Sequence, residues 1–372
     1  MKILQTVKYY APSKGGMESV VKNLVEGVLA NVDDVRFTVY ANSHLPSFKK
    51  AINVTDRLIS IKESTPFFFK SQPLNLRYSS LRALIKDADI IHHHYPFPNM
   101  ELALFRNMDL LDGKDLVITW HANIKNSRWS WIGKFYDPLI SKLLIKAKMI
   151  VVTSPQLLEA SDILKPFANK IIVIPLSFDP NITSYQVKPK RYPVDRVFQL
   201  LFVGKLRIYK GLKYLIEAIK DLDVNLVISG EGESEVELKK YVSDLGINNK
   251  INFLGKVNDE ELKSLYKKSD LFILPSINEA EAFGVVQLEA MTNAIPVINT
   301  NLKSGVPFVS LHNFSGLTIQ PANSLELKHA IESIIHDKSL YEKFSRNSLE
   351  RAKLFSRDKM VAAYIGIYNK NL

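Results

Sequence analysis

The sequence predicts two consecutive α/β domains, each a doubly wound, mostly parallel sheet. Two observations carry that reading. Short β-rich runs alternate with stretches of helical periodicity through both halves of the chain, as in parallel strands joined by crossover helices. Near the middle, the polar segment "FDPNITSYQVKPKRYPVDR" at 178–196 carries three prolines and interrupts the alternation, which then restarts. At 372 residues and 46% apolar content the chain exceeds one typical core, which independently favours two domains. The expected division is 1–185 and 193–355, with a last helix over 356–372 packing back on the first domain.

In chain order, "MKILQTV" reads as a strand. "GGMESVVKNLVEGVLA" then has helical spacing, with Val20, Leu24, Val28 and Leu29 on one stripe. "VRFTVYA" is a strand, "YSSLRALIKDA" a helix, and "DIIHHHY" and "DLVITWHA" are strands. "YDPLISKLLIKAK" is a helix, followed by the strands "MIVVTSP" and "KIIVIPL". Beyond the linker the strands are "FQLLFVG", "VNLVISG", "KINFLG", "LFILPS" and "PVINT". The helices between and after them are "GLKYLIEAIKDL", "ESEVELKKYVSDLG", "DEELKSLYKKS", "GVVQLEAMTNA" and "SLELKHAIESIIH". In such sheets ligands bind beyond the carboxyl ends of the strands, so the cleft between the two domains is the expected site.

Composition excludes several classes. There is no cysteine, hence no disulfide framework and no thiolate metal site. The first residues hold an apolar patch too short for a signal peptide, and no run approaches the ~18–20 apolar residues of a bilayer span. The net charge of +11 is uneven: residues 1–190 carry 25 Lys/Arg and 16 Asp/Glu, against 24 and 22 in the remainder. A polyanionic partner suits the first half. Nucleic acid is not expected, because zinc-finger spacing, RNA-binding aromatic motifs and a basic tail are all missing. An anionic membrane surface fits better, at about 1 kcal/mol per well-placed cation. The stretches "RWSWIGKFY" and "TPFFFKSQPLNLRYSSLR" mix cations with aromatics as an interfacial surface would, although core aromatics would read the same.

Several clusters could carry chemistry. Nine of only 15 glycines fall between 204 and 316, mostly after predicted strands, where a backbone turns tightly or approaches a ligand. In "LFVGKLRIYKG", Lys205 and Lys210 stand between a strand end and a helix start, an anion site by charge and by dipole, or else an ordinary solvated turn. "SKGGMESVV" places Gly15 and Gly16 before a helix, which leaves N–H groups free for phosphate or marks a flexible loop. In "NEAEAFGVVQLEAM", Glu281 lies in a loop and Glu289 about five residues into a helix, roughly 7–8 Å along its axis at ~1.5 Å per residue. Val285, Val286, Leu288 and Met291 leave that helix little polar face, so two acids there suit a ligand with hydroxyls at both ends. His121 follows a strand of the first domain and faces the same cleft, or else is a hydrogen-bonded core histidine. The three consecutive histidines His92 to His94 alternate in direction along a strand and cannot all grip one metal. Two Asp-x-Asp triplets, Asp87–Asp89 and Asp221–Asp223, precede strands and lie at the wrong end for a metal–diphosphate site. No metal and no cofactor are expected.

Together these pieces resemble the family-four retaining glycosyltransferases of the GT-B fold, with two Rossmann-like domains facing an interdomain cleft. The likeness runs over nearly the whole chain through "SKGGMES", "DIIHHHYPFPNMELAL", "TWHANI", "VTSPQLLEAS", "VIPLSFD", "FVGKLRIYKGL", "ISGEGE", "INFLGKVNDEEL", "LPSINEAEAFGVVQLEAM" and "SGVPFV". Its most specific element is the pair Glu281 and Glu289, with seven residues between them inside "EAFGVVQLE". The resemblance implies a nucleotide-sugar donor with Gly15 and Gly16 against its diphosphate and Lys205 and Lys210 neutralising it. His121 would contact the transferred sugar. Glu281 and the Phe283–Gly284 backbone running into Val285 would hold the sugar, Glu289 the ribose, and Gly255, Lys256 and Val257 the base. Lys205 stands where the family often has arginine, which loses a planar fork but keeps the charge. Ser177 replaces a usual glycine.

The resemblance is strongest to bacterial polysaccharide and lipopolysaccharide (O-antigen) mannosyltransferases. It implies transfer of mannose from GDP-mannose to a lipid-diphosphate-linked glycan at the inner face of the cytoplasmic membrane, with other polysaccharide-assembly enzymes as further partners. A UDP-sugar donor is the alternative within the class. A nucleotide-sugar epimerase of related fold would consume donor without acceptor, but its acid–base set is not evident. A catalytically dead scaffold is disfavoured by intact Glu281, Glu289, His121 and Lys210.

Overall fold

The computed structural model describes residues 1–13, 15–47, 49–69, 72–75, 78–123, 133–180, 182 and 187–369. The chain divides into two compact units: Met1–Leu176 joined by the segment from Arg357 onward, and Ser177–Ser356. The sheet of the first unit is built from β1 (Lys2–Thr6), β2 (Arg36–Asn42), β3 (Ala51–Val54), β4 (Leu58–Glu63), β7 (Ile90–Tyr95), β8 (Asp115–Trp120), β9 (Met149–Val152) and β10 (Ile171–Val173). A separate two-stranded piece pairs β5 (Phe67–Phe69) with β6 (Gln72–Leu74). The eight strands lie in the order β10-β9-β8-β7-β1-β2-β4-β3, all parallel except the edge pair β3–β4.

The second unit has six strands: β11 (Phe198–Val203), β12 (Val224–Ser229), β13 (Ile251–Gly255), β14 (Leu271–Ile273), β15 (Val297–Thr300) and β16 (Gly316–Ile319). Their order is β13-β12-β11-β14-β15-β16 and every pairing is parallel. In both sheets the winding reverses beside the first strand, β1 between β2 and β7, and β11 between β12 and β14. Such switch points open a crevice at the strands' carboxyl ends. Both units are thus Rossmann-like.

The central strands are covered on both faces: every residue of β7 and all but the first of β1 are buried, including the polar Gln5, Thr6 and His92 to His94, which are hydrogen-bonded there. The helix Gly16–Asn31 buries Val20, Val21, Leu24, Val25 and Val28. Its Gly27 lets the C-terminal helix Arg357–Asn369 come close, because a Cβ there would lie 2.3 Å from a Val361 methyl. That helix buries Met360, Val361, Tyr364, Ile367 and Tyr368 within the first unit.

Among the described residues, nine strands and α-helices escape the sequence reading: β3, β4, β5, β6 and β16, and the helices Pro98–Phe105, Pro155–Glu159, Val306–Val309 and Lys338–Ala352. Residues 177–180 and 187–196 belong to the second unit, ahead of the boundary that the prolines suggest. They are anchored there by Lys190, whose ammonium donates to the Tyr266 and Lys267 carbonyls at 3.2 and 2.9 Å and also to that of Ser269. Part of "RWSWIGKFY" lies outside the described residues.

Candidate active site

In the second unit, β11 exits through Gly204 into the loop that carries Lys205 and Lys210, and β14 exits into the loop that carries Ser276 and Glu281. Gly211 joins these loops. Its backbone is left-handed (φ 70°), it precedes the helix Leu212–Ile219, and a Cβ would sit 1.9 Å from the Pro275 carbonyl oxygen. Only glycine meets both conditions. The Ile277 N–H donates to the Tyr209 carbonyl at 2.8 Å, a second tie between the loops.

The two lysines part company here. Lys205 is exposed, whereas Lys210 is buried and its ammonium pairs with Glu281 Oε2. The same oxygen accepts from the Ser276 hydroxyl at 2.9 Å. Burial alone would lower the Lys210 pKa, but the Glu281 carboxylate and the Tyr209 phenol outweigh it and hold the ammonium above its ordinary value. A buried pair of this kind costs desolvation that its attraction only partly offsets, so it is poor evidence of stabilisation and good evidence of a task.

The helix Val285–Thr292 begins after Gly284, which is also left-handed (φ 71°) and pressed against a Leu274 methyl. Phe283 is buried against Phe355, which fixes the loop before the helix, and Val285 is half-buried. Glu289 projects from the helix's buried side, where its Oε2 accepts from the Tyr266 hydroxyl at 2.7 Å. Burial lifts the Glu289 pKa to about 7, opposed by the Tyr266 hydrogen bond and assisted by Asp179 and Asp259. Beyond β13, Gly255 is left-handed (φ 66°), Lys256 is exposed and Val257 half-buried. The Lys256 N–H points at Glu231 Oε1 (3.4 Å), in the "GEGE" turn after β12.

In the first unit, Gly15 and Gly16 open the helix Gly16–Asn31 directly after the β1 loop. Neither is required by backbone conformation: Gly15 is extended, and nothing lies within 4 Å of where a Gly16 Cβ would stand. A Cβ on Gly15 would lie 2.3 Å from Glu18 Oε2, so the Glu18 carboxylate stands at the start of this helix. His121 follows β8 and is buried, with Nε2 2.9 Å from His94 Nδ1. Burial first, then the neighbouring His93, lowers its pKa to about 3, so it is neutral at physiological pH. The three histidines of β7 alternate as the strand requires. His92 and His94 share a face with ring centroids 4.4 Å apart, while His93 points the other way to Thr6 (2.8 Å) and Glu101 (3.0 Å). Among the described residues no group of three or more His, Asp and Glu is placed to hold a metal ion. Asp87 and Asp89 pair with Lys2 at the amino end of β1, away from these loops.

The residues that the sequence assigns to a donor site thus lie on segments leaving the carboxyl ends of parallel strands. Glu281, Lys210, Glu289 and His121 are buried and partnered, whereas Lys205 and Lys256 are exposed. The roles of Ser276, Tyr266 and Gln5 were missed, since a lone hydroxyl or amide carries no motif, and His94, noted only as one of three consecutive histidines, proves to be the partner of His121.

Buried charged and imidazole side chains beyond the strand ends of Rossmann-like sheets define a class, and comparison with known proteins agrees. Residues 14–182 match the family model "Glycosyltransferase Family 4" and residues 187–351 match "Glycosyl transferases group 1". The chain belongs to the glycosyltransferases of the GT-B fold, family-four type. Among its relatives, the O-antigen chain mannosyltransferase C of Escherichia coli is 29% identical over 99% of this chain and 98% of its own. The D-rhamnosyltransferase WbpZ of Pseudomonas aeruginosa is 29% identical over 94% of this chain and 91% of its own. Among solved structures, HepE of Anabaena in complex with UDP superimposes with a TM-score of 0.75 at 19% identity, covering all of both chains.

Proposed function

We propose that this glycosyltransferase moves mannose from GDP-mannose, with retention and without a metal, to a lipid-diphosphate-linked glycan in O-antigen-type surface polysaccharide assembly. The observation that carries the reading is the buried Lys210–Glu281–Ser276 cluster at the switch point of the second sheet, with Glu289 on the adjoining helix. Two relatives act as an O-antigen mannosyltransferase and as a D-rhamnosyltransferase by name, and a structural neighbour holds UDP. The UDP in that neighbour keeps a UDP-sugar as the second reading. Thermal-shift titration with GDP-, UDP- and ADP-sugars separates the two.

Breaking the sugar–phosphate bond leaves an oxocarbenium-like sugar and an anionic diphosphate. Lys205, Lys210 and the N–H groups of the helix starting after Gly284 oppose that charge, an electrostatic contribution of several kcal/mol. When the diphosphate arrives, Lys210 shares its protons with the phosphate oxygens, and Glu281 turns its freed oxygen to a sugar hydroxyl. Glu289 accepts from the ribose and His121 from a hydroxyl of the transferred sugar. The departing phosphate takes the acceptor's proton on the face it leaves, which gives retention. Lys210→Ala and Glu281→Ala should each lower kcat/KM by about 10²–10³ while the protein stays folded. Wild-type rates in both variants would end the proposal. Consumption of donor without any acceptor would favour an epimerase instead.

A further inference from the structure

Seven buried side chains of the first unit form one continuous hydrogen-bonded line ending on His121. Beyond His94, the line passes from His94 Nε2 to Gln5 Oε1 (2.7 Å), and from Gln5 Nε2 to Tyr368 Oη (3.0 Å). It continues from Tyr368 Oη to His92 Nδ1 (2.8 Å), from His92 Nε2 to Thr119 Oγ1 (2.7 Å) and on to Tyr364 Oη (2.9 Å). Tyr364 and Tyr368 stand four residues apart on one face of the C-terminal helix. That helix therefore reaches His121 through polar contacts as well as by packing.

We propose that this line fixes the tautomer of His121, with Tyr368 as its positioning residue. The proton sits on Nε2, and Nδ1 is left bare to accept from a hydroxyl of the sugar substrate. The inference rests on the reading of His121 as substrate-facing. A tyrosine hydroxyl has a single proton. Given to His92 Nδ1, it leaves the Tyr368 oxygen as an acceptor only, so Gln5 must turn its NH₂ toward Tyr368 and its carbonyl toward His94. A carbonyl only accepts, so His94 carries its proton on Nε2 and presents a bare Nδ1. His121 Nε2 must then donate. Burial holds His92 and His94 well below the ordinary histidine range, so each ring has one proton to place. Among the described residues nothing bonds to His121 Nδ1. A Gln5 amide turned end for end would reverse each step up to His121, which makes the polarity measurable.

The test is the ring-nitrogen NMR spectrum of ¹⁵N-histidine-labelled protein, with the His121 signals assigned by their loss in His121→Gln. A bare, pyridine-like Nδ1 in the wild type supports the proposal, and a protonated Nδ1 overturns it. Tyr368→Phe should mix the two tautomers and lower kcat about 10–100-fold, the scale of losing a partner that orients a functional imidazole, with KM for GDP-mannose little changed. An unchanged His121 spectrum in Tyr368→Phe overturns the role of Tyr368. Should that variant fail to fold, the wild-type spectrum alone decides. A deoxy-mannose donor lacking the recognised hydroxyl should be transferred by wild type and Tyr368→Phe at similar rates. A fixed tautomer together with full transfer by His121→Ala would leave the line standing and remove the substrate-facing reading.

Discussion

Glu289 shows how one side chain can be held at odds with its own stability. Its carboxyl is buried, and its pKa is lifted from 4.5 to about 7. It binds its proton more tightly folded than unfolded, so it favours folding below pH 4.5, and that contribution drains away as pH rises toward 7. Above that pH the fold carries a buried charge that costs about 1–3 kcal/mol. Glu289→Gln keeps an acceptor oxygen for Tyr266 and removes the charge. It should raise Tm in buffers above pH 7 and leave Tm little changed in acid, as differential scanning fluorimetry would record. If the carboxylate holds a ribose, the same variant should bind GDP roughly 10–100-fold more weakly by calorimetry, the scale of a hydrogen bond to a charged group. A Tm that does not move above pH 7 would show that Glu289 is not ionised there. An unaltered GDP affinity would remove it from the site.

At the scale of elements, the close packing of two helices on Gly27 makes a second testable point. Alanine normally improves a helix interior by about 1 kcal/mol over glycine. Here its methyl would meet Val361, so Gly27→Ala should instead lose about 1–3 kcal/mol in urea unfolding, and Val361→Ala should recover part of that loss in the double variant. Additive losses would mean the helices part without strain. The same contrast explains which elements were legible. The strands β1, β7, β8, β11 and β12 are largely buried and rich in Ile, Leu, Val, Phe and Trp, which marks them as strands. All four residues of β3 are exposed, and the strand exists by pairing with β4, a tertiary cause that leaves no period in "AINV". The helix Lys338–Ala352 is largely polar along "KSLYEKFSRNSLERA" and is held by a few buried residues such as Tyr341 and Phe344. In the site, charged residues near glycines stood out from the sequence. The Lys210–Glu281 pair did not, because 71 residues separate partners that only the sheet brings together.

For the whole molecule, the division into units sharpens the charge asymmetry. The first unit, including its C-terminal segment, carries 26 Lys/Arg against 16 Asp/Glu, while the second carries 23 against 22. Nearly all of the net +11 therefore belongs to the unit whose sheet ends in the exposed edge strand β3, with Ile52 and Val54 more than half exposed. No helix among the described residues is long and apolar enough to cross a membrane, so attachment to one would have to come from the surface. An acceptor on a lipid diphosphate is confined to the bilayer face. An enzyme held there by its basic unit searches two dimensions instead of three. If about three or four of these cations engage at roughly 1 kcal/mol each, partitioning onto anionic vesicles rises by about two to three orders of magnitude over neutral ones. Such attraction is screened within a Debye length of about 10 Å at 0.1 M salt. In sedimentation with phosphatidylglycerol-rich vesicles, the protein should pellet at low salt, stay in solution at high salt, and ignore purely zwitterionic vesicles. Equal binding to both lipid types would assign any attachment to the apolar edge instead, and no binding at low salt would mean that the charge serves another polyanion.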